Sequence, residues 1–201
     1  MQRSHRRLSF LHGFLGSPED WEGVIQHLPE FECQALEYPF QIPTDSIVVG
    51  YGMGGRIALK CPQPKIILSA HPGLKTPQEK QQRWQDDQQW IEKLKTMPFE
   101  QFLREWYAQP LFETLDVSSV LERRLKQNPL ELAEILSKES LSHQTFSVPS
   151  NAAFLHGQLD AKYKQLYRDL GISSIEIPNA GHAIHLENPL GLANAIRSYL
   201  E

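Results

Sequence analysis

Cysteine is nearly absent: Cys33 and Cys61 are the only thiols in 201 residues. They lack C-x-x-C spacing, so neither a disulfide framework nor a zinc site is indicated, and two reduced thiols in a cytoplasmic protein are the expectation. Long hydrophobic runs are missing too, and no stretch approaches a membrane span. Arg3, Arg6 and Arg7 precede the apolar Leu8–Leu11. That stretch is too short for a secretory signal, breaks at His12-Gly13, and leads to no small-x-small cleavage site. Neither sign of charge dominates: 20 Lys and Arg against 24 Asp and Glu leave a formal −4. Such a balance supplies no attraction to nucleic acid or to a membrane surface. The length suits one domain with a substantial core, or a core plus an insertion.

One hydroxyl is missing where it matters most. Residues Ile47–Ile57 read IVVGYGMGGRI: a β-branched run, a glycine-rich turn, and a helix restarting at Arg56. This is the strand–turn–helix context of the nucleophile elbow, G-x-S-x-G, of α/β-hydrolases, with Gly52 at the serine position. Small residues at Gly50 and Gly54 let strand and helix pack closely. The centre of an elbow is strained for any side chain but open to glycine, so glycine there preserves the fold and deletes the chemistry. A dinucleotide-binding loop is the alternative for such a turn. It would want an acid roughly 20 residues on, where this chain has Ile67-Leu68-Ser69-Ala70-His71.

The flanking segments fit the elbow reading. A strand over Leu8–Leu11 runs into His12-Gly13-Phe14, the place where this fold sets one oxyanion-hole amide. Ser17-Pro18-Glu19-Asp20 then opens a helix with a cap, a proline at the first position and acids in the first turn. Strands are expected over Cys33–Tyr38, Lys65–Ser69, Ala152–Leu155 and Ser174–Ile177. Only Phe40–Asp45 separates the second strand from the elbow strand, short for a parallel crossover, which normally takes a dozen or more residues. From residue 76 to about 145 no strand is evident. Helices are expected over 78–95, with Arg83 and Trp90 on one face, and over 99–107, 117–127 and 130–138. Such an insertion at the carboxyl side of a sheet is how a lid is built. The division is therefore 1–75 and 146–201 for the core and 76–145 for the lid. Asp160 and His182 follow successive strand ends, in the elbow–Asp–His order of α/β-hydrolase triads.

With these residues in place, the chain resembles the 2-succinyl-6-hydroxy-2,4-cyclohexadiene-1-carboxylate (SHCHC) synthase family of menaquinone and phylloquinone biosynthesis, lyases of the α/β-hydrolase fold. The likeness lies in FLHGFLGS (10–17), VVGYGMGGRIAL (48–59), HPGL (71–74), the pattern from Arg83 through Trp90 to WYAQPLF (106–112), GQLDAKY (157–163) and AGHAIHLENP (180–189). HPGL and WYAQPLF are the most family-specific of these. The resemblance implies elimination of pyruvate from an enolpyruvyl cyclohexene carboxylate, with no metal or organic cofactor. It puts the proton-abstracting oxygen at position 52, His182 as its activator, Asp160 as the prop of His182, and the amides of Phe14 and Met53 in the oxyanion hole. It makes Arg56 and Arg83 carboxylate-binding residues, adds a third lid cation near Arg124 or Lys126, and lines the pocket with Tyr51 and Trp106. The partner it implies is a small polycarboxylate. The chain departs from the family in lacking the N-terminal antiparallel hairpin, the helix before the elbow strand, and the serine.

Loss of the serine from such a triad lowers the rate on the order of a millionfold. An introduced substitution, a natural protein that keeps the pocket without the chemistry, and a water in the vacated space that leaves His182 a weak base are the explanations to separate. A serine esterase or thioesterase of the same fold, and a non-catalytic protein that binds a small acid, are the competing functions.

Overall fold

The computed structural model describes residues 6–201, and Arg3 of the basic N-terminal run lies outside them. Among the described residues six strands form one sheet: β1 Arg7–Leu11, β2 Glu32–Leu36, β3 Ser46–Tyr51, β4 Lys65–Leu68, β5 Ala152–Gly157 and β6 Ser174–Ile177. Their order is β2-β1-β3-β4-β5-β6, and every pairing is parallel. The helices are α1 Glu22–Ile25, α2 Met53–Ala58, α3 Pro77–Thr96, α4 Phe99–Tyr107, α5 Ser118–Arg124, α6 Pro129–Lys138, α7 Ala161–Asp169, α8 Ile184–Glu187 and α9 Pro189–Leu200. Chain neighbours need not pair across the sheet, and the central strands are buried on both faces, which is why their sequences read as continuous apolar runs.

Side chains alternate between two cores. Leu8, Phe10, Val49, Ile66 and Leu155 meet Trp21, Val24, Leu192 and Ile196 on one face. Leu11, Val48, Ile67 and Phe154 meet Ala58, Leu59 and Tyr167 on the other. A third apolar cluster belongs to α3, α4 and α6, where Ile91, Leu94, Phe102, Leu132 and Leu136 pack together. It takes in Leu15 and Phe14 from the loop after β1. Local chemistry starts these helices where they start. Thr76 and Glu79 form a reciprocal capping box ahead of Pro77, and Asn128 caps α6 ahead of Pro129. No helix among the described residues is long and apolar enough to cross a membrane.

The short connection after the second strand has a simple resolution. That strand runs over Glu32–Leu36 and stops two residues before the Tyr38 expected from sequence. It lies at the sheet edge beside β1, whereas β3 lies on the other side of β1. Nine residues, 37–45, thus return along a five-residue strand and step sideways past one neighbour, a path of ~20 Å that an extended chain covers easily. No helix is needed. Phe40 and Ile42 of this segment pack onto the second core, filling space that a crossover helix would cover. Phe40→Ala is therefore expected to destabilise the protein by about 2 kcal/mol, read as a lower urea midpoint at unchanged m-value. An unchanged midpoint would show that the connection merely lies over the sheet.

Candidate active site

Because all strands run one way, the carboxyl ends of β1, β3, β4, β5 and β6 reach the same edge, the usual ligand side of an open α/β sheet. The loops carrying Phe14, Gly52, His71, Asp160 and His182 all leave from this edge.

The elbow is the tightest part. Gly52 adopts φ +54°, ψ −113° between β3 and α2, a conformation that favours glycine. Helix α2 begins at Met53, three residues before the Arg56 start expected from sequence. A Cβ at Gly54 would run into the carbonyl oxygens of Leu11 and His12. At Gly50 it would lie 2.6 Å from the Gly54 oxygen, and at Gly55 2.6 Å from the Ala70 methyl. Gly52 differs, since its nearest neighbour would be the Gly13 Cα at 3.8 Å. There is room for a side chain at the centre of the turn and none beside it.

His182 follows β6 in a loop that Glu187 holds from below. One carboxylate oxygen of Glu187 accepts the Gly181 amide (2.7 Å) and the other the Ala183 amide (2.9 Å). The loop after β5 is joined to it through Leu159 N–H donating to Ala180 O at 2.9 Å. Asp160 caps α7, accepting the Tyr163 amide at 3.0 Å through one oxygen, while its other oxygen accepts from His182 Nδ1 at 2.8 Å. Its side chain is 1% exposed. Burial alone would raise the Asp160 pKa, but the hydrogen bond and charge of His182 and the Tyr163 amide outweigh it and hold it below the ordinary value. With Nδ1 engaged, Nε2 is the nitrogen left for chemistry. The His182 ring is flanked by Tyr163 (4.9 Å between centroids), Tyr51 (5.3 Å) and Phe112 (5.8 Å).

A cavity of about 180 Å³ opens over the elbow, lined by Phe14, Tyr51, Gly52, Met53, Arg56 and His182. Arg83, Trp106 and Arg124 close it from the helical side, with Trp106 against Phe14 at 5.0 Å. Nine of the ten residues singled out from sequence line this space, and Asp160 stands behind His182. The three arginines differ in state. Arg124 is buried and its charge is paired, donating to Asp20 at 2.7 Å and to the Tyr107 hydroxyl at 3.1 Å. Arg123 donates to the other Asp20 oxygen at 3.1 Å. Arg83 spends its Nε on Asp87 at 2.8 Å, leaving two nitrogens. Arg56 has no hydrogen-bond or ion-pair partner among the described residues. Burial, then the neighbouring Arg83, brings its pKa down to about 10, so it stays a cation at neutral pH.

The lining residues without a role read from sequence include His71, Lys162 and Tyr163. The signal was present in HPGL and GQLDAKY, which place His71 after β4 and the other two just inside α7. His71 Nδ1 accepts the Gly73 amide at 3.1 Å, so its proton sits on Nε2. Burial, then Arg83, Lys162 and Arg56, press its pKa down to about 4. Burial and Arg83 likewise lower Lys162. This convergence of cations and donors gives the cavity a positive potential. Among the described residues no group of three or more His, Cys, Asp or Glu side chains could hold a metal ion.

No protein-family model matches the chain. It is 33% identical, over 89% of its length and 91% of the other, to a putative 2-succinyl-6-hydroxy-2,4-cyclohexadiene-1-carboxylate synthase of Haemophilus influenzae. It is 29% identical, over 96% and 91%, to the synthase of that name from Enterobacter sp. (strain 638). Among solved structures, MenH from S. aureus superposes with a TM-score of 0.84 at 22% identity, covering 97% of this chain and 93% of that one. A malate-bound thermophilic esterase from Thermogutta terrifontis follows at 0.68 and 18%, covering 97% and 89%. The fold is that of the α/β-hydrolases.

Two predictions follow from this geometry. Gly52→Ser meets no steric obstacle and should lower stability by only about 1–3 kcal/mol, the usual strain of a side chain at positive φ, whereas Gly54→Ala should leave little folded protein; thermal unfolding distinguishes them. Acid should also weaken the fold. His71 and His185 are bases held from 6.5 down to about 4 and about 3, both chiefly by burial. Below pH 6.5 the unfolded chain therefore binds protons that the folded one refuses, and stability falls as pH drops towards 4. His71→Gln should make the urea midpoint less steep in pH across that window; an unaltered slope would place the loss elsewhere.

Proposed function

The chain belongs to the SHCHC synthase family, and on that premise we propose that its cavity binds the family's polycarboxylate while the oxygen that abstracts the proton is absent at Gly52. The reading rests on one observation: the unpaired Arg56 guanidinium shares a cavity with the His182–Asp160 pair. A half-buried cation without a counter-charge is free to pair with a ligand that supplies one, and a guanidinium grips a carboxylate through two parallel bonds. Arg83, Lys162 and the His71 Nε2–H extend the same anionic subsite. Arg124 contributes less charge, because Asp20 neutralises it; its part is to hold the helical segment 76–145 over the site as a lid.

In the complete reaction a hydroxyl at residue 52, deprotonated by His182 Nε2, would take the substrate proton and start the elimination that releases pyruvate. Asp160 would stabilise the imidazolium so formed. The Phe14 and Met53 amides would steady negative charge on the substrate oxygen; the Met53 N–H opens α2, where first-turn donors have no partner within the helix. As written, the chain keeps the binding and orienting groups and lacks the atom they serve.

Gly52→Ser tests this directly. Pyruvate release from the enolpyruvyl cyclohexene carboxylate should rise by roughly a thousandfold or more. In that background Arg56→Gln should lower kcat/KM on the order of 30-fold or more. A folded Gly52→Ser protein that releases no pyruvate would end the lyase reading. The esterase alternative rests on fold likeness alone; turnover of p-nitrophenyl esters by the same variant, without pyruvate release, would favour it.

A further inference from the structure

The loop after β1 has two sides. Gly13, Phe14, Gly16 and Met53 line the cavity described above and also a second one, of about 290 Å³. They are the partition between them. The second cavity is closed by His12, Glu37, Tyr38, Gln127 and Glu131, and its polar groups are unbalanced in one direction.

His12 is buried. Its Nδ1 lies 2.8 Å from Gly13 O, and a carbonyl only accepts, so the ring proton is on Nδ1 and Nε2 presents a lone pair. Burial opposes a second proton and outweighs the pull of Glu37 and Asp20, with Arg124 adding to the lowering. Nε2 has no hydrogen-bond partner among the described residues. It faces Glu37 Oε1 at 3.6 Å, so two acceptors stand together with no donor between them. Gln127 repeats the pattern. Its amide nitrogen donates to Leu15 O and Gly16 O, both at 3.2 Å, which fixes the orientation of the amide; Oε1 is left buried and unpartnered. Two side-chain donors on the wall are already used, and the third, Lys126, lies mostly in solvent. Tyr38 Oη donates to Glu139 at 3.0 Å, Asn128 Nδ2 to Glu131 at 3.2 Å, and Lys126 stands 3.6 Å from Glu122. Buried acceptors in folded proteins are almost always satisfied, and here two carboxylates add negative charge.

We propose that this second cavity binds a primary ammonium ligand, whose N–H groups bridge His12 Nε2, Glu37 and Gln127 Oε1. An ammonium carries three donors and no acceptor, the complement of this wall. The site is independent of the reaction assigned to the first cavity, though its occupant would touch the same Phe14 partition.

NMR of the full-length protein tests it, with propylammonium chloride as the probe. Tetramethylammonium chloride, a cation without N–H, and sodium propionate at equal ionic strength serve as controls. Expected are saturable shifts of His12 Nε2 and the Phe14 amide with propylammonium alone, the Tyr199 amide staying still. Glu37 is exposed, so Glu37→Gln should fold normally, and it should weaken the apparent Kd by roughly fivefold. Shifts that never saturate, equal shifts with tetramethylammonium, or an unchanged Kd in folded Glu37→Gln would each overturn the proposal and leave water as the occupant.

Discussion

Where α2 leaves β3, main chain lies directly against main chain. The glycines at 50, 54 and 55 leave no volume for a methyl group, because the end of β1, the turn itself and Ala70 occupy it. This contact brings the Gly13–Phe14 loop over the elbow and sets the Met53 amide beside it. It also sends α2 away at an angle that carries Arg56 into the cavity. Close-packed backbone cannot relax as a flexible side chain can, so the geometry of the site is inherited from the fold rather than assembled loop by loop. Residue 52 is the exception within that turn, constrained by its dihedral angles but not by its neighbours.

Charge is handled in two opposite ways around the cavity. Asp20 gathers Arg123 and Arg124 at 2.7–3.1 Å, tying the loop after β1 to α5 with a compensated, buried pair. Removing one member would leave an uncompensated charge, which is what makes such pairs structurally demanding. Arg83 is half engaged with Asp87, and Arg56, Lys162 and His71 have no acid paired with them among the described residues. Burial, with neighbouring cations added, lowers the proton affinity of Arg56, His71 and Lys162.

Much of this was legible before any coordinates. Strand β6 and helix α4 fall at the boundaries read from apolar periodicity, capping residues and prolines, because those signals act within a few residues of chain. The Asp160 and His182 loops were recognisable from their order after successive strands. Other features were not legible. The connection over 37–45 looked too short only while β2 and β3 were pictured side by side; strand order is a non-local property, and β1 stands between them. Arg124 read as a free cation because its partner, Asp20, lies more than a hundred residues away. His71 read as part of a motif, without a role, because the three cations that depress it come from three other elements.

Sequence alone determined the elements, the elbow without a hydroxyl, and the family whose motifs span the chain. Each depends on short-range chemistry: a glycine's tolerance of positive φ, a cap, a period of two or of 3.6. Tertiary structure decided which cations are spent and which are free, that Gly52 has room beside it while Gly54 has none, and that a second cavity shares the Phe14 partition. Those depend on distances between residues far apart in the chain, and electrostatic pairing and steric exclusion are set by distance in space, not along the sequence.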